Sequence, residues 1–388
     1  MDDNALASKQ ASKQASKQAS KQESKQASKR IPQLEGLRFI MCCIIILSHF
    51  EFLGKSETFG EFYMTYLHNA TLAVDYFFML SGFGIYLSLK RPECSIKGAL
   101  YFAVDKVKKI YPAYIFSLLM GIPATIYTLL KYSSIGKAVL KLLFFVGVDL
   151  SLLQSITGMT RFSHAVNDVC WFLSTIFISY IVCPWILRVV DKVRNKRQAF
   201  SLICGFVIIV LILSFGAILT ERNIQGIFDD LWYGHPFIRC WYLAIGMCLG
   251  YLYKESTIQI RSGQEVFVAG LAIFYFVGRN SIPFGKEVLR VFDITLCILF
   301  LYVFACGNGK LSRKLSSERM VNLGKISMLL FLFHYPIRII FGTIFATVGW
   351  QSDWMLFAEM SLIIFITVLI VSLYGVASSW VKAHLSGT

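Results

Sequence analysis

Apolar runs recur from Gln33 to the C-terminus with only short polar breaks between them, and few folds can accommodate that pattern. Crossing the roughly 30 Å hydrocarbon core of a bilayer takes about 20 residues of helix. In lipid every backbone polar group must be satisfied within the protein, which favours helices. Composition agrees, with 56% hydrophobic and 15% aromatic residues and a mean hydropathy of +0.61, well outside a soluble profile. The expected fold is therefore all-α, a polytopic integral membrane protein. No large soluble domain fits between the runs.

Ten spans are expected, at about 33–53, 70–89, 108–130, 170–187, 200–219, 236–253, 265–278, 288–306, 324–347 and 354–378. A further apolar piece, about 138–155, is expected to be re-entrant or interfacial. Counting it as a crossing would carry Arg188, Lys192, Arg194, Lys196, Arg197, Lys310, Arg313 and Lys314 to the outside, against the positive-inside rule. Both termini are then expected in the cytoplasm. Lys131, Lys137 and Lys141 fall on the other side under this topology and oppose it in part.

Residues 1–30 differ in kind. From Ala7 to Arg30 six Ala-Ser-Lys-Gln tetrapeptides follow one another, with Glu23 and Arg30 as the departures. A four-residue period stacks Lys9, Lys13, Lys17 and Lys21 on one helical face, where like charges repel, and nothing apolar is available to bury. A disordered cationic tail touching anionic headgroups is expected. No apolar stretch precedes Ile31, so no cleaved signal peptide is expected. The formal charge of +15 sits mostly in this tail and the loops. It speaks for membrane topology and anionic lipid, and no nucleic-acid motif accompanies it. The cysteines, among them Cys42, Cys43, Cys183, Cys204, Cys248 and Cys297, lie mostly in apolar runs without metal-ligand spacing. They read as small packing residues, and no metal is expected.

Ionisable groups inside the spans carry the functional signal, because charge in hydrocarbon is costly. "LEGLRFIMCCIIILSHFEF" holds Arg38 and His49. Eleven steps of about 100° make three turns plus roughly 20°, so both leave one face, separated by about 16 Å along the axis. Arg38 is then near the cytoplasmic mouth and His49 past the midplane. In the next span Asp75 is expected to meet a cation or a histidine, and it could orient His49 as an acid orients the base of a hydrolytic triad. Ser81, Gly82 and Gly84 follow as a small-residue break that lets helices approach. "VDKVKKIYPAY" puts Lys106 and Lys109 three apart at the cytoplasmic entrance, a possible phosphate site. Positive-inside charge would equally account for Lys106, Lys108 and Lys109. His334, in "LLFLFHYPI", is the other deeply placed imidazole, whereas His68, His164, His235 and His384 are expected at the surface.

These stretches resemble the membrane acyltransferase-3 family. "IPQLEGLRFIMCCIIILSHF" is similar to its opening span, a basic residue followed after ten positions by a histidine; "AVDYFFMLSGF", "DKVKKIYPAY" and "LGKISMLLFLFHYPI" are similar to later signatures. "CWFLSTIFISYIVCP" fits too, with Trp171, Tyr180 and Pro184 at the family's intervals. The resemblance runs over 31–388, a transmembrane acyltransferase domain following the tail. It implies O-acyl transfer, usually of acetyl from acetyl-CoA to a sugar hydroxyl, with Arg38, Lys106 and Lys109 on the coenzyme phosphates. His49 would be the general base or acyl carrier, with Asp75 and His334 beside it.

There are departures. Lysines stand where the family usually has arginines, which loses the bidentate fork. Ile176 and Phe177 stand where many members have paired glutamates, and Glu35 replaces a commoner aspartate. The missing glutamates look like the branch that O-acetylates surface polysaccharides. A polysaccharide flippase or proton-coupled transporter is the competing class, since polar groups lining a membrane cavity suit either.

Overall fold

A computed structural model of the chain describes residues 31–88, 90–223, 227–228, 230–349 and 352–385. The tetrapeptide repeats and the lipid contact expected of them lie outside these residues. Among the described residues there is no strand, only an isolated bridge between Ile260 and Gly307. Twelve helices of twelve or more residues build the molecule: α1 (Pro32–Ser48), α2 (Thr71–Leu87), α3 (Ile96–Val107), α4 (Tyr111–Tyr132), α5 (Ile135–Leu150), α6 (Trp171–Val190), α7 (Lys196–Asn223), α8 (Pro236–Lys254), α9 (Ser262–Gly278), α10 (Lys286–Ala305), α11 (Glu318–Val348) and α12 (Asp353–Leu385).

Among the described residues, seven stretches are long and apolar enough to cross a bilayer: Gly60–Leu87, Tyr111–Tyr132, Asp168–Val190, Lys196–Glu221, Val288–Ala305, Glu318–Val348 and Asp353–Val381. The expected ten are therefore too many. The three that drop out have local causes. Helix α1 stops at Ser48 after 17 residues, roughly 26 Å of rise, and the chain continues as a 3₁₀ turn over Glu51–Lys55. Helix α9 also has 17 residues, and α8 buries Arg239 in its first turns and ends on Lys254. The piece expected to be re-entrant is α5, whose 16 residues are too few for a crossing.

The bundle is organised by two central helices, α8 and α11. Helix α8 packs on α2, α6 and α7, and α11 packs on α1, α4 and α12. Lipid gives helices no hydrophobic reason to associate, so close backbone approach has to supply the contact. At the α2–α8 crossing a Cβ on Gly82 would fall 1.8 Å from the Leu243 carbonyl oxygen, and one on Gly246 would fall 1.9 Å from that of Met79. Only glycine fits at either place. Asp75 on α2, Arg239 on α8 and Arg290 on α10 meet at this same junction. All ten cysteines are free, and Cys42, Cys183, Cys248 and Cys297 are buried packing residues.

Candidate active site

Two histidines 285 positions apart meet where α1 ends against α11, with His334 Nε2 3.2 Å from His49 Nδ1. Their hydrogen bonds determine which nitrogen carries a proton. His334 Nδ1 lies 2.7 Å from the Phe331 carbonyl oxygen and 3.2 Å from that of Leu330. Carbonyls only accept, so this nitrogen is the N–H donor and the neutral ring keeps its lone pair on Nε2. That lone pair accepts from His49 Nδ1–H, which leaves His49 with its own lone pair on Nε2. His334 is buried, at 1% exposure, and His49 is half-buried. The pair thus has a hidden orienting ring and an accessible base.

Proline chemistry helps hold the pair in place. Pro336 has no N–H for the carbonyl four residues earlier, that of Leu332, and a freed carbonyl at membrane depth needs another donor. Asn167 Nδ2 supplies it at 3.0 Å. This bond anchors the loop before α6 to α11 and brings Asp168 to the hydroxyl of Tyr335, whose ring stands edge-on to His49 with centroids 5.4 Å apart. Asp168 also bonds His164 Nδ1, and His164 Nε2 is 3.4 Å from Asp230 Oδ2. Burial disfavours the imidazolium of His164, but the two carboxylates push its pKa up to about 10, so this loop histidine is charged at neutral pH. It is half-buried and paired rather than a simple surface residue. Arg338, one turn beyond His334, bonds Glu51 and lies 3.4 Å from the Tyr335 hydroxyl.

On the other side of the pair, toward the start of α1, is a cavity of about 900 Å³. Four of its lining residues are cationic, Arg38, Lys90, Lys106 and Lys325, against one carboxylate, Glu35. Arg38 is tied to Glu35 at 3.0 Å and keeps 29% of its side chain exposed. Lys106 lies 5.1 Å above the Phe102 ring. Between this cavity and the histidines the protein narrows to an apolar gap of about 10 Å³, lined by Ile45, Phe77, Phe172, Ser327, Met328 and Phe331. Phe77, Phe172 and Met328 border both spaces. Ile45 lies one turn before His49, and Phe331 one turn before His334.

The structure therefore brings Arg38 and Lys106 to one cavity and His49 and His334 to one contact. It separates two other residues singled out in the sequence. Lys109 is exposed and does not line the cavity, because α3 ends at Val107 and residues 108–110 form a turn, which removes the shared helical face with Lys106. Asp75 does not orient His49. Its carboxylate bonds Arg239 Nη1, with Arg290 Nη1 at 3.7 Å, and all three side chains are buried. Sequence reasoning passed over Lys325, Asn167, Asp168, Tyr335 and Arg338. A His, an Asn and an Asp within five residues, His164 to Asp168, were the available signal in the loop.

The family model described as an acyltransferase domain matches residues 31–376. Among curated proteins, the chain is 24% identical over 324 residues to the acyltransferase MdmB of Streptomyces mycarofaciens, covering 79% of each chain. It is 23% identical over 371 residues to the nose resistant to fluoxetine protein 6 of Caenorhabditis elegans, covering 78% of this chain and 44% of that one. No solved structure matches. A match over nearly all of the described helices, with an acyltransferase among the relatives, supports a membrane acyltransferase, and the chain belongs to the acyltransferase-3 family.

Proposed function

We propose that the protein is a multi-pass enzyme of the cell membrane, both termini cytoplasmic, that moves an acetyl group from acetyl-CoA to a sugar hydroxyl of a cell-surface or exopolysaccharide. The observation that carries this reading is the lone pair on His49 Nε2, left free by the contact with His334 and separated from a cationic cavity by a short apolar gap. Acetyl-CoA suits the cavity in size, since small-molecule sites run to roughly 300–1,000 Å³. Its phosphates suit Arg38, Lys106 and Lys325. The pantetheine arm would extend from them through the Ile45–Phe331 gap, over the roughly 16 Å of rise that separates Arg38 from His49.

In the reaction His49 Nε2 takes the proton of the acceptor hydroxyl while that oxygen attacks the thioester carbonyl. The new C–O bond forms, the C–S bond breaks, and the imidazolium returns the proton to the departing sulfur, giving the ester and free CoA. His334 accepts the Nδ1–H bond throughout and so favours the imidazolium that forms in passing, a general-base arrangement.

The test is mass spectrometry of surface glycans from cells with the wild type, with His49→Ala and without the gene. Glycans lighter by acetyl groups in the two deficient strains are expected, with polymer still present. Acetylation retained in His49→Ala refutes the reading, and disappearance of the polymer itself would indicate transport.

A further inference from the structure

A second cavity, of about 530 Å³, opens on the side of the histidine pair away from Arg38, between α4, the second half of α11 and the start of α12. Arg338 joins it to the pair, since it lines this cavity and stands one turn past His334. The charge of the lining is uneven: Lys55, Lys131 and Arg338 face it, against Glu359. Arg338 is already held by Glu51. Lys55 and Lys131 make no ion pair among the described residues, and Lys131 lies over the Tyr127 ring at 4.5 Å.

Glu359 is the unusual member. It sits within the span Asp353–Val381 at 3% exposure, and its Oε1 has no hydrogen-bond partner. A buried carboxylate oxygen at membrane depth is costly until something donates to it. A guest carrying hydroxyls would donate to it, and an anionic group on the same guest would pair the two lysines.

Resting on the acyl-transfer reading above, we infer that this cavity seats the acyl acceptor and selects one with a negative charge among its hydroxyls, a uronic acid or a sugar phosphate. Glu359 Oε1 accepts from one hydroxyl and Lys55 and Lys131 hold the carboxylate or phosphate. A further hydroxyl is thereby presented toward His49 Nε2. A neutral sugar would leave the lining with an excess of positive charge, since Glu359 is its one carboxylate against Lys55, Lys131 and Arg338.

The test uses the full chain in phosphatidylcholine nanodiscs and reads the melting temperature with methyl glucuronide, glucose 6-phosphate, methyl glucoside or acetyl-CoA. Both anionic sugars should raise it and methyl glucoside should not. Lys131→Glu should raise the apparent Kd of the anionic sugars by about tenfold or more, since it replaces one charge-assisted contact with a like charge. A Cβ at Gly342 would lie 3.5 Å from Glu359 Oε1, so Gly342→Leu should fill the cavity and abolish the shift. Acetyl-CoA should stabilise all variants as it does the wild type. Equal binding of methyl glucoside, no shift with either anionic sugar, or an anionic shift with undiminished affinity in both variants overturns the inference. Should Gly342→Leu not fold, Lys131→Glu carries the test, since that side chain is exposed. A wild type that ignores acetyl-CoA would count against acyl transfer and leave the anion site to its own result. In phosphatidylglycerol nanodiscs, a weakened sugar shift would assign the same anion chemistry to a lipid headgroup, and an unchanged one to a soluble glycan.

Discussion

Two of the buried ionisable clusters in this bundle are built for opposite ends. At the α2–α8–α10 junction Asp75 is locked between Arg239 and Arg290, at 0%, 0% and 2% side-chain exposure, and the Arg239 guanidinium stands over the rings of Phe78, Tyr233 and Tyr242. Each charge there is compensated by another charge or an aromatic face. At the α1–α11 contact the partners are neutral, one ring is half-buried, and a lone pair is left unused. An ionisable residue at membrane depth is thus an ambiguous signal by itself, and its partner decides whether it braces the fold or performs chemistry.

The sharpest way to break this contrast is to remove one member of each cluster. His49→Ala should cut acyl transfer by about 10²–10⁴-fold, the usual worth of a positioned general base, with the amount of folded protein unchanged on size-exclusion chromatography. Asp75→Ala should do the reverse. It leaves the buried Arg239 without its counter-charge and Arg290 with Asp293 alone, a loss of about 3–5 kcal/mol, so folded protein in the membrane should fall while the surviving fraction keeps its activity per molecule. An Asp75→Ala protein that folds normally and is inactive would place Asp75 in the chemistry after all.

A smaller effect tests the tautomer. His334→Ala should slow transfer by roughly 10–100-fold, as when a histidine at a metal site loses the partner that orients it. His334→Gln should recover much of that rate, because an amide oxygen can still accept from His49 Nδ1–H. Equal rates in the two variants would mean that His334 contributes only volume.

The two clusters were not equally legible in the sequence. His49 and His334 each stand out as the polar residue of an apolar run, and the spacing from Arg38 to His49 already puts a cation and an imidazole on one helix. Their contact with each other was not legible, because it spans 285 residues and depends on how α11 crosses α1. The partner of Asp75 was lost for the same reason, as Arg239 lies 164 positions on. The helices were plain from hydropathy, but the number that cross was overcounted, because apolar content hides where a helix stops: α1 ends at Ser48 although the run continues to Phe52. The turn at residues 108–110 did leave a trace. Pro112 suits the first turn of a helix, where its missing N–H has no intrahelical partner to lose, and α4 begins at Tyr111 with this proline in its first turn.

That turn also sets the smallest effect. Lys106 and Lys109 carry the same charge three residues apart, and long-range attraction of a coenzyme would treat them nearly alike. A contact would not. Lys106 lines the 900 Å³ cavity with its ammonium over the Phe102 ring, whereas Lys109 is exposed beyond the helix end and is not part of the lining. Lys106→Ala should therefore raise the KM for the proposed donor, acetyl-CoA, several-fold, up to about tenfold for the loss of one charge-assisted contact, with kcat little changed. Lys109→Ala should raise it less than about twofold, as expected for an exposed charge, and that residue should vanish in 0.5 M salt, where screening acts within a few ångströms. The Lys106 defect should persist in part at high salt, because a partly desolvated pair is screened less. Equal, fully salt-sensitive defects in the two variants would mean that both lysines act only through the general field of the membrane face, and that the phosphates of the proposed donor would be gripped elsewhere on the rim, with Arg38, Lys90 and Lys325 the remaining cations to test.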